Sequence, residues 1–437
     1  MDKKVVKVGG SSLADAKQFR KVADIIKADP ARRFVVASAP GKRDSSDTKV
    51  TDMLYRCYDL AAAGEDFEPQ LADIAKRFSA IIDELGISFP LKREIAAIRT
   101  HLWGKLSRDY MASRGEYLGS KILAAYLDFP FYDAAGSIRF TLDGHHLADQ
   151  TAANLSAALA DYEYAVIPGF YGADSEGNIH TFSRGGSDVT GSLVAQAVNA
   201  DIYENWTDVS GMLVTDPRIV PEPQTIDLLT YRELRELSYM GASFLHEDAV
   251  FPVRKAGIPI NIRNTNRPGD AGTMIVASPP EGSRTRTVTG IAGRKGFTSI
   301  HVEKSMMNGE VGFGVKLLQI FADHGVPFEH CPTGIDTMSA VVGSAGFHGV
   351  EEAVLADIES RMQPDHVEVE DGLAMIAVVG RGMVAARGTA ARIFRTLADA
   401  GINIRMIDQG SSELNIIVGV EEADYEAAVQ AIYREFR

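Results

Sequence analysis

The sequence has little of what disulfide-rich, membrane-spanning and polyanion-binding proteins need. Its 437 residues include two cysteines, Cys57 and Cys331, which cannot form a disulfide framework in a chain of this size. No stretch approaches the roughly 18 consecutive apolar residues of a transmembrane helix, and the first residues hold no apolar segment of signal-peptide length. A net charge of −14 is not that of a general nucleic-acid or anionic-membrane binder. These absences predict a cytoplasmic protein that binds neither nucleic acid nor membranes.

Two common catalytic signatures are also absent. The sequence has no Gly-x-Ser-x-Gly motif, which presents a nucleophilic serine, and no group of histidine, cysteine and aspartate with zinc-ligand spacing. Because the net charge is negative, an anionic substrate needs a local group of cations and backbone N–H groups. Cations and glycines that stand together are therefore the first candidates for a binding site.

Strand and helix patterns alternate over the first two-thirds of the chain. This alternation predicts an α/β fold, with a mostly parallel sheet covered by helices on both faces. Residues 51–127 carry almost no strand signal and predict a helical insertion. The predicted strands are 4–8, 34–37, 165–167 and 201–203, and the predicted helices include 14–27, 69–85, 92–108 and 189–198.

A composition shift at residues 277–284 predicts a linker, with one domain over residues 1–283 and a second part over 284–437. In the second part, residues 314–342 align with 390–418 without a gap, at an offset of 76 residues. Each copy reads as an amphipathic helix, a glycine stop, a strand, a turn and another strand, and a second helix follows. The repeat predicts two ferredoxin-like α+β modules of the βαββαβ kind.

The first candidate motif follows the first predicted strand. Lys7 stands near the end of that strand, and Gly9, Gly10 and Ser11 lead into a helix. Backbone N–H groups in such a turn can approach a phosphate, and a lysine beside it can neutralise a transferring phosphoryl group. The same residues also suit a plain tight turn, in which Ser11 or Ser12 caps the helix.

A second glycine pair precedes the predicted helix at 189–198. Arg184 suits a bidentate contact with a carboxylate, and the N–H groups near Gly186 and Ser187 suit an anion. Asp188 is a natural N-cap, and capping is its alternative role. Two glycine-rich helix starts in one α/β domain favour two anions held face to face.

Hydroxyl and carboxylate side chains follow the predicted strand at 201–203. Thr207 and Asp208 suit hydrogen bonds to a base or ribose, and Arg218, two residues after Asp216, suits a phosphate. Ligands of open α/β sheets bind at this end of the strands. Two turns initiated by aspartate explain the same residues equally simply.

Three further polar residues are candidates, and two of them offer hydroxyls at the same predicted sheet edge. Ser38 follows the second strand and Thr51 lies further on, where both hydroxyls also suit capped turns. Glu116 lies at the start of a predicted helix. It is able to receive an ammonium group, and it also suits a solvated first turn, where the helix dipole favours an acid.

Together these motifs resemble the aspartate kinase family of the amino-acid kinase superfamily, which carries C-terminal tandem ACT domains. The resemblance covers nearly the whole chain. The segments that carry it are residues 7–12, 169–170, 184–188, 206–209 and 215–218, and the ACT-like tail at 402–420.

The resemblance implies ATP-dependent phosphorylation of the L-aspartate side-chain carboxylate with Mg²⁺, the first step of lysine, threonine and methionine biosynthesis. It assigns no protein ligand to Mg²⁺. The implied catalytic residues are Lys7, Arg184 and Asp188. The implied aspartate contacts are Ser38, Thr51, Glu116, Arg184 and Ser187, and the implied ATP contacts are Lys7, Gly9, Gly10, Ser11, Thr207, Asp208, Asp216 and Arg218.

The ACT pair implies feedback control by lysine, threonine or both, and a homodimer or larger homo-oligomer formed through these modules. Glu329 suits the ε-ammonium group of lysine, whereas Phe313 and Phe328 also suit the hydrophobic core. Few residues follow the second module, so no fused dehydrogenase is expected. The implied effector contacts are Met307, Phe313, Gly314, Phe328 and Glu329.

Two departures from the family pattern bear on ATP binding. Many members carry an aromatic residue where Leu213 stands and a lysine where Ser243 stands.

Two other functions remain open. One is a sibling kinase acting on glutamate, with acetylglutamate disfavoured because Glu116 suits a free amine. The other is an inactive amino-acid sensor, which the intact Lys7 and Arg184 argue against.

Overall fold

The computed structural model describes residues 2–183, 185–242, 245, 247–283 and 285–437. The chain forms two compact units, which are described separately. The first comprises Met1–Met212, Thr225–Tyr231 and Phe244–Pro279, and the second comprises Leu213–Gln224, Arg232–Ser243 and Pro280–Arg437. None of the helices formed by these described residues is long and apolar enough to cross a membrane.

Strands and helices are interspersed from the N-terminus to residue 276, with five helices in succession between the second and third strands. They are β1 Lys4–Val8, α1 Ala16–Lys27, β2 Arg32–Ala37, α2 Val50–Ala62, α3 Glu68–Leu85, α4 Leu91–Gly104, α5 Arg108–Leu127, α6 Ala148–Leu159, β3 Ala165–Pro168, β4 Tyr171–Ala173, β5 Ile179–Thr181, α7 Gly186–Ala197, β6 Ile202–Thr207, β7 Leu228–Thr230, α8 Tyr231–Tyr239, α9 Glu247–Ala256, β8 Ile260–Asn264 and β9 Thr273–Val276.

The main sheet has seven strands in the order β3-β2-β1-β6-β8-β9-β7. Its pairs are parallel except for β8 with β9. Apolar side chains of α1–α5 pack with Val6, Val8 and Val35 into one core cluster. The mostly parallel sheet confirms the predicted fold class, and it brings the carboxyl ends of β1, β2, β3 and β6 to one edge.

Helix α1 begins at a cap that the sequence analysis missed. The Asp15 carboxylate accepts a hydrogen bond from the Gln18 N–H, and Phe19, Val22 and Ile26 form the buried face. The preceding residues Gly10–Leu13 form a 3-10 turn. The alternative in which Ser11 or Ser12 caps this helix is therefore wrong.

Helices α2–α5 follow one another from Val50 to Leu127. Helix α4 ends at Gly104, and α5 starts after Ser107, whose hydroxyl accepts from the Tyr110 N–H. Glu116 therefore lies in the interior of a 20-residue helix. Its predicted position at a solvated helix start is wrong, because the cap at Ser107 starts the helix two turns earlier.

The second unit contains a six-stranded antiparallel sheet in the order β11-β12-β10-β13-β15-β14. The first half of the long strand β10 pairs with the second half of β13, and the second half of β10 pairs with β12 and with the first half of β13. The two modules therefore share their central strands. The elements are β10 Gly290–Glu303, α10 Phe313–Asp323, β11 Phe328–His330, β12 Thr337–Gly343, α11 Ser344–Phe347, α12 Glu351–Met362, β13 His366–Val379, α13 Thr389–Asp399, β14 Met406–Asp408, β15 Asn415–Glu421 and α14 Tyr425–Phe436.

The internal repeat is real, but its gap-free alignment is wrong over the strands. Helix α13 starts 76 residues after α10, whereas β14 and β15 start 78 residues after β11 and β12. Two extra residues stand between the Gly401 turn and β14. Both helices begin after a glycine with left-handed backbone, Gly312 at φ 85° and Gly388 at φ 82°, a conformation that favours glycine.

Candidate active site

A buried lysine, an aspartate and an asparagine meet at the sheet edge. Lys7 on β1 and Asn205 on β6 are paired neighbours in the sheet. The Lys7 ammonium lies 2.7 Å from Asp188 Oδ1, and Asn205 Nδ2 donates to the same oxygen at 2.7 Å. Lys7 is only 8% exposed, so Asp188 balances a charge that has little access to water. Asn205 is not among the residues predicted from the motifs, although a polar residue inside a buried strand is a usable signal.

The start of α7 explains why Asp188 is available to Lys7. The N-cap is Gly185, which has left-handed backbone at φ 58°, and the helix begins at Gly186. The alternative role of Asp188 as the N-cap is therefore wrong. Asp188 lies in the first turn, where the helix dipole favours a negative charge. The side chain of Ser187 packs on Gly169, since a Cβ there would lie 2.7 Å from Ser187 Oγ. Arg184, predicted to bind a carboxylate, lies outside the described residues.

The glycine turn after β1 packs directly on the loop after β2. The Gly41 N–H donates to the Gly10 carbonyl at 2.8 Å, and a Cβ at Gly10 would lie 2.8 Å from the Ala39 oxygen. A side chain at either glycine would push the two loops apart. The Gly9 N–H donates to the Trp206 carbonyl at 2.9 Å, so this N–H group is already used. Ser11, next in the turn, is half-buried.

The loop after β2 also gathers the predicted aspartate contacts. Ser38 donates its N–H to the Val8 carbonyl at 3.1 Å. Thr51 lies in the first turn of α2, whose Val50 N–H reaches the Pro40 carbonyl at 3.3 Å. Helix α5 packs on the same loop, since a Cβ at Gly115 would lie 2.7 Å from Ala39 Cβ. Ser38, Thr51 and Glu116 therefore lie on segments that contact one another.

Glu116 is a buried acid that lacks a full set of partners. The residue is 6% exposed, and its Oε2 has no hydrogen-bond partner within the described part of the chain. Burial raises the pKa of Glu116 to about 8, although the Ala39 N–H and Arg114 act in the opposite direction. An ammonium group brought to this carboxyl would supply the missing partner and favour its ionised form.

The predicted ATP contacts divide between the two units. Thr207 ends β6 in the first unit, and its hydroxyl donates to Asp208 at 3.2 Å. Asp216 and Arg218 belong to the second unit, where they pair with each other at 2.6 Å. The Arg218 side chain is 88% exposed and its pKa is raised by Asp216.

The predicted effector contacts lie in the first module of the second unit. Met307 and Phe313 belong to its core cluster, as the alternative role of Phe313 expected. A Cβ at Gly314 would lie 3.3 Å from Met338 Cε, so the start of α10 packs closely on β12. Phe328 on β11 is 48% exposed and is not a core residue.

Glu329 already has two partners, which the sequence analysis did not foresee. Arg294 on β10 donates to Glu329 Oε1 at 2.8 Å, and the Tyr239 hydroxyl donates to Oε2. Burial and the Glu329 carboxylate raise the pKa of Tyr239 to about 12, which keeps the hydroxyl a donor at neutral pH. An incoming ammonium group would compete with Arg294 for this carboxylate.

The two modules contact each other through equivalent residues. His330 ends β11, Asp408 ends β14 at the matching position, and His330 Nδ1 lies 2.7 Å from Asp408 Oδ2. Arg405 forms an ion pair with Glu370 close to the start of β14. Polar pairs therefore join the two modules in addition to the shared strands.

Metal-binding side chains do not cluster in the described ranges. No three or more histidine, cysteine, aspartate or glutamate residues among them are placed to hold one ion together. Asp188, the carboxylate of the candidate site, is engaged with Lys7 and Asn205.

Two family models match the chain. The model described as "Amino acid kinase family" matches residues 2–264, and the model described as "ACT domain" matches residues 376–436. The chain is similar to Aspartokinase 3 of Bacillus subtilis, with 40% identity over 449 aligned positions that cover 99% of this chain and 98% of that protein.

Three solved structures of aspartate kinases are also similar to this chain over at least 99% of its length. The aspartate kinase of Clostridium acetobutylicum is 46% identical with a TM-score of 0.89, and the match covers 100% of both chains. Aspartokinase III of E. coli in complex with aspartate and ADP is 25% identical with a TM-score of 0.73, covering 99% of both chains. The same E. coli protein in complex with lysine and aspartate gives a TM-score of 0.71 at 25% identity, with both chains fully covered.

Proposed function

The chain belongs to the amino acid kinase family and is an aspartokinase, and from this we propose that Lys7, Glu116 and the start of α7 bring ATP and L-aspartate together. The observation that carries this assignment is Glu116 on α5, a buried carboxyl whose Oε2 has no hydrogen-bond partner among the described residues, on the helix that packs against the loop holding Ser38. This environment suits the substrate's ammonium group.

The reaction needs no general base. The side-chain carboxylate of aspartate is ionised at pH 7. One of its oxygens attacks the γ-phosphorus of ATP, the new O–P bond forms, and the bond to the β,γ-bridging oxygen breaks to release ADP. Catalysis then depends on positioning and on neutralising charge at the phosphoryl group. Lys7 supplies the positive charge, and Asp188 holds its ammonium in place.

We assign the aspartate contacts by the charges and hydroxyls that converge near the loop after β2. Glu116 receives the α-ammonium group, while Ser38, Thr51 and Ser187 donate hydrogen bonds to carboxylate oxygens. We assign Arg184 to the α-carboxylate because its segment resembles the family motif. The E. coli aspartokinase III complex with aspartate supports this substrate.

ATP is the proposed phosphoryl donor, supported by ADP in that E. coli complex. Its phosphates would lie at Lys7, Gly10 and Ser11, with Gly9 in the same turn, and its nucleoside at Thr207 and Asp208. Asp216 and Arg218 complete the proposed contacts, and Arg218 must exchange Asp216 for a phosphate. Mg²⁺ would enter bound to the phosphates of ATP, as this ion commonly does, and no residue of this chain is proposed as its ligand.

The substrate assignment is tested by trapping the acyl phosphate with hydroxylamine. The purified protein is given ATP, Mg²⁺ and either L-aspartate, L-glutamate or N-acetyl-L-aspartate. We expect kcat/KM for aspartate to exceed both others by roughly 100-fold, because glutamate carries an extra methylene and N-acetyl-L-aspartate lacks the ammonium partner of Glu116. Equal or faster turnover of glutamate would instead identify a glutamate kinase.

We further propose feedback inhibition by lysine, with Glu329 receiving the ε-ammonium group. The E. coli structure with lysine and aspartate supports this effector. The effector's carboxylate would meet the start of α10 at Phe313 and Gly314, and Met307 and Phe328 would flank its side chain. Thermal-shift titrations with lysine, threonine and both together test the choice. A response to threonine alone would exclude lysine as the effector.

We also propose that the protein forms homo-oligomers through the second unit, that its domain boundary lies at residues 283–284 and that it is located in the cytoplasm. Exposed apolar side chains near the start of α10, Met306, Val311 and Val315, support the first. Two free cysteines agree with the last. Light scattering tests the oligomer: we expect a dimer or larger assembly for the wild type and a smaller one for Val311→Asp. A monomeric wild type would contradict the proposal.

A further inference from the structure

We propose that Arg77 is a positioning residue that holds together the two loops bearing Gly10 and Ser38, and thereby acts on phosphoryl transfer without touching a substrate. The proposal rests on the proposed function, because it concerns the same site. Neither the sequence motifs nor the family resemblance pointed to this residue, which lies in the helical insertion.

Arg77 on α3 binds backbone atoms of both loops. Its Nη2 donates to the Ala14 carbonyl at 3.0 Å and to the Gly41 carbonyl at 2.8 Å. Ala14 directly follows the 3-10 turn that begins at Gly10, and Gly41 stands three residues after Ser38. One guanidinium nitrogen therefore joins the loops that follow β1 and β2.

The loops after β1 and β2 pack tightly against each other between the Arg77 contact and the proposed phosphate-binding turn. The Gly41 N–H donates to Gly10, and a Cβ at Gly41 would lie 2.7 Å from the Gly10 carbonyl carbon and 2.9 Å from the Ser11 nitrogen. A displacement of Gly41 must therefore move the proposed phosphate-binding turn. The same displacement must move Ala39, which packs against Gly115 of α5, next to Glu116.

Asp47 makes the buried guanidinium tolerable. Arg77 is 6% exposed, and its Nη1 donates to Asp47 Oδ2 at 2.6 Å. Arg43 binds the same carboxylate through its backbone N–H, Nε and Nη2. These donors hold the pKa of Asp47 well below its usual range. The carboxylate therefore stays ionised, fixes the guanidinium plane and aims Nη2 at the two carbonyls.

A lysine cannot replace this arrangement. The planar guanidinium serves three acceptors at fixed angles, whereas an ammonium group is a point charge on a flexible stem. A cavity of about 460 Å³ adjoins the cluster and is lined by charged side chains, including Arg56 and Lys76. This cavity gives a small cation access to the space that a truncated Arg77 would leave.

The test is chemical rescue of Arg77→Ala. We expect its kcat/KM for aspartate to fall roughly 100-fold, with KM raised for both ATP and aspartate, because small misplacements of reacting groups cost about this much. Millimolar guanidinium should restore at least roughly tenfold of that loss, which mere destabilisation would not allow. Arg99→Ala, which removes an exposed ion pair with Glu68 on the same insertion, is the matched control and should change little.

Equilibrium binding of ADP to the same proteins separates this proposal from the function. We expect the Kd for ADP to rise in Arg77→Ala and to recover with guanidinium, whatever the rate with aspartate. A wild type inactive on aspartate would refute the function, and unchanged ADP affinity with unchanged kinetics in Arg77→Ala would overturn the positioning role. A loss of activity in Arg77→Ala that guanidinium does not restore would also overturn it. If Arg77→Ala does not fold, Arg77→Lys is measured in its place. KM values of Arg77→Lys for ATP and aspartate equal to those of the wild type would then overturn the positioning role.

Discussion

Asp188 holds the ammonium group of Lys7 at 2.7 Å, across the gap between α7 and β1. Asn205 donates to the same carboxylate oxygen, so the lysine is fixed in direction as well as in charge. In an acidic chain of net charge −14, we propose that this ammonium group faces the two anionic substrates.

Removing the Asp188 charge should reduce both activity and stability. In Asp188→Asn the buried ammonium of Lys7 loses its counter-charge, which costs several kcal/mol for a buried pair and less here because Asp188 is partly exposed. We expect kcat to fall roughly 100-fold and Tm to decrease. Steady-state kinetics and thermal unfolding check this. Asn205→Leu, which keeps both charges, should have the smaller effect, and wild-type kcat in Asp188→Asn would disprove the role.

Glu116 should make the unliganded protein less stable at high pH. Its pKa is about 8 in the folded state against 4.5 for an unperturbed glutamate side chain, so the folded chain binds the proton more tightly. Its contribution is therefore greatest below the unfolded pKa, declines as pH rises from 4.5 to about 8, and is constant above. Glu116→Gln carries no charge and should raise Tm at pH 9 by roughly 4–8 °C, for a gain of roughly 2 kcal/mol.

The pH dependence supplies the control for Glu116. The gain in Tm should shrink steadily when the same two proteins are unfolded at decreasing pH, because the wild-type carboxyl becomes neutral. Meanwhile kcat/KM for aspartate should rise with pH through about 8 in the wild type, where Glu116 ionises to receive the substrate's ammonium group, and Glu116→Gln should lack this rise. A Tm difference that is independent of pH would show that Glu116 is not a buried neutral acid.

Local patterns sufficed for much of the fold. Buried strands such as β1 and β2 are short apolar runs, and the glycine-rich turn after β1 follows from strand–turn–helix order. The packing of α5 on the loop after β2 was not predictable, since it depends on contacts between residues far apart in sequence. For the same reason the burial of Glu116, the choice of Asn205 as a partner for Lys7 and the role of Arg77 were not visible. The two-residue insertion before β14 escaped notice because few identities mark the repeat.

Gly115 should be indispensable for the contact between α5 and the loop after β2. A Cβ at this position would lie 2.7 Å from Ala39 Cβ, closer than real contacts allow. We expect Gly115→Ala to destabilise the protein by about 1–3 kcal/mol and to raise KM for aspartate, because Glu116 and Ser38 move apart. Gly104→Ala at the end of α4 is the matched control, because no atom of the described residues lies within 4 Å of a Cβ added there. Equal Tm and KM in both variants would contradict the packing argument.

Arg294 should weaken lysine inhibition by occupying Glu329. If the ε-ammonium of lysine binds this carboxylate, it must displace a guanidinium that lies 2.8 Å away. Arg294→Met should then lower the lysine concentration for half-inhibition about tenfold, and Glu329→Gln should raise it about tenfold, as expected for one charged hydrogen bond. Inhibition curves at fixed aspartate and ATP measure both shifts. Parallel shifts in the two variants would place the effector elsewhere.

The most direct test of the account is the rate of aspartyl hydroxamate formation by the wild type and by Lys7→Met under identical ATP, Mg²⁺ and aspartate. The account predicts steady turnover by the wild type and a loss of roughly 1,000-fold in the variant, because the charge developing on the phosphoryl group loses its cation. A comparable rate in Lys7→Met, or no aspartyl hydroxamate from the wild type, would contradict it.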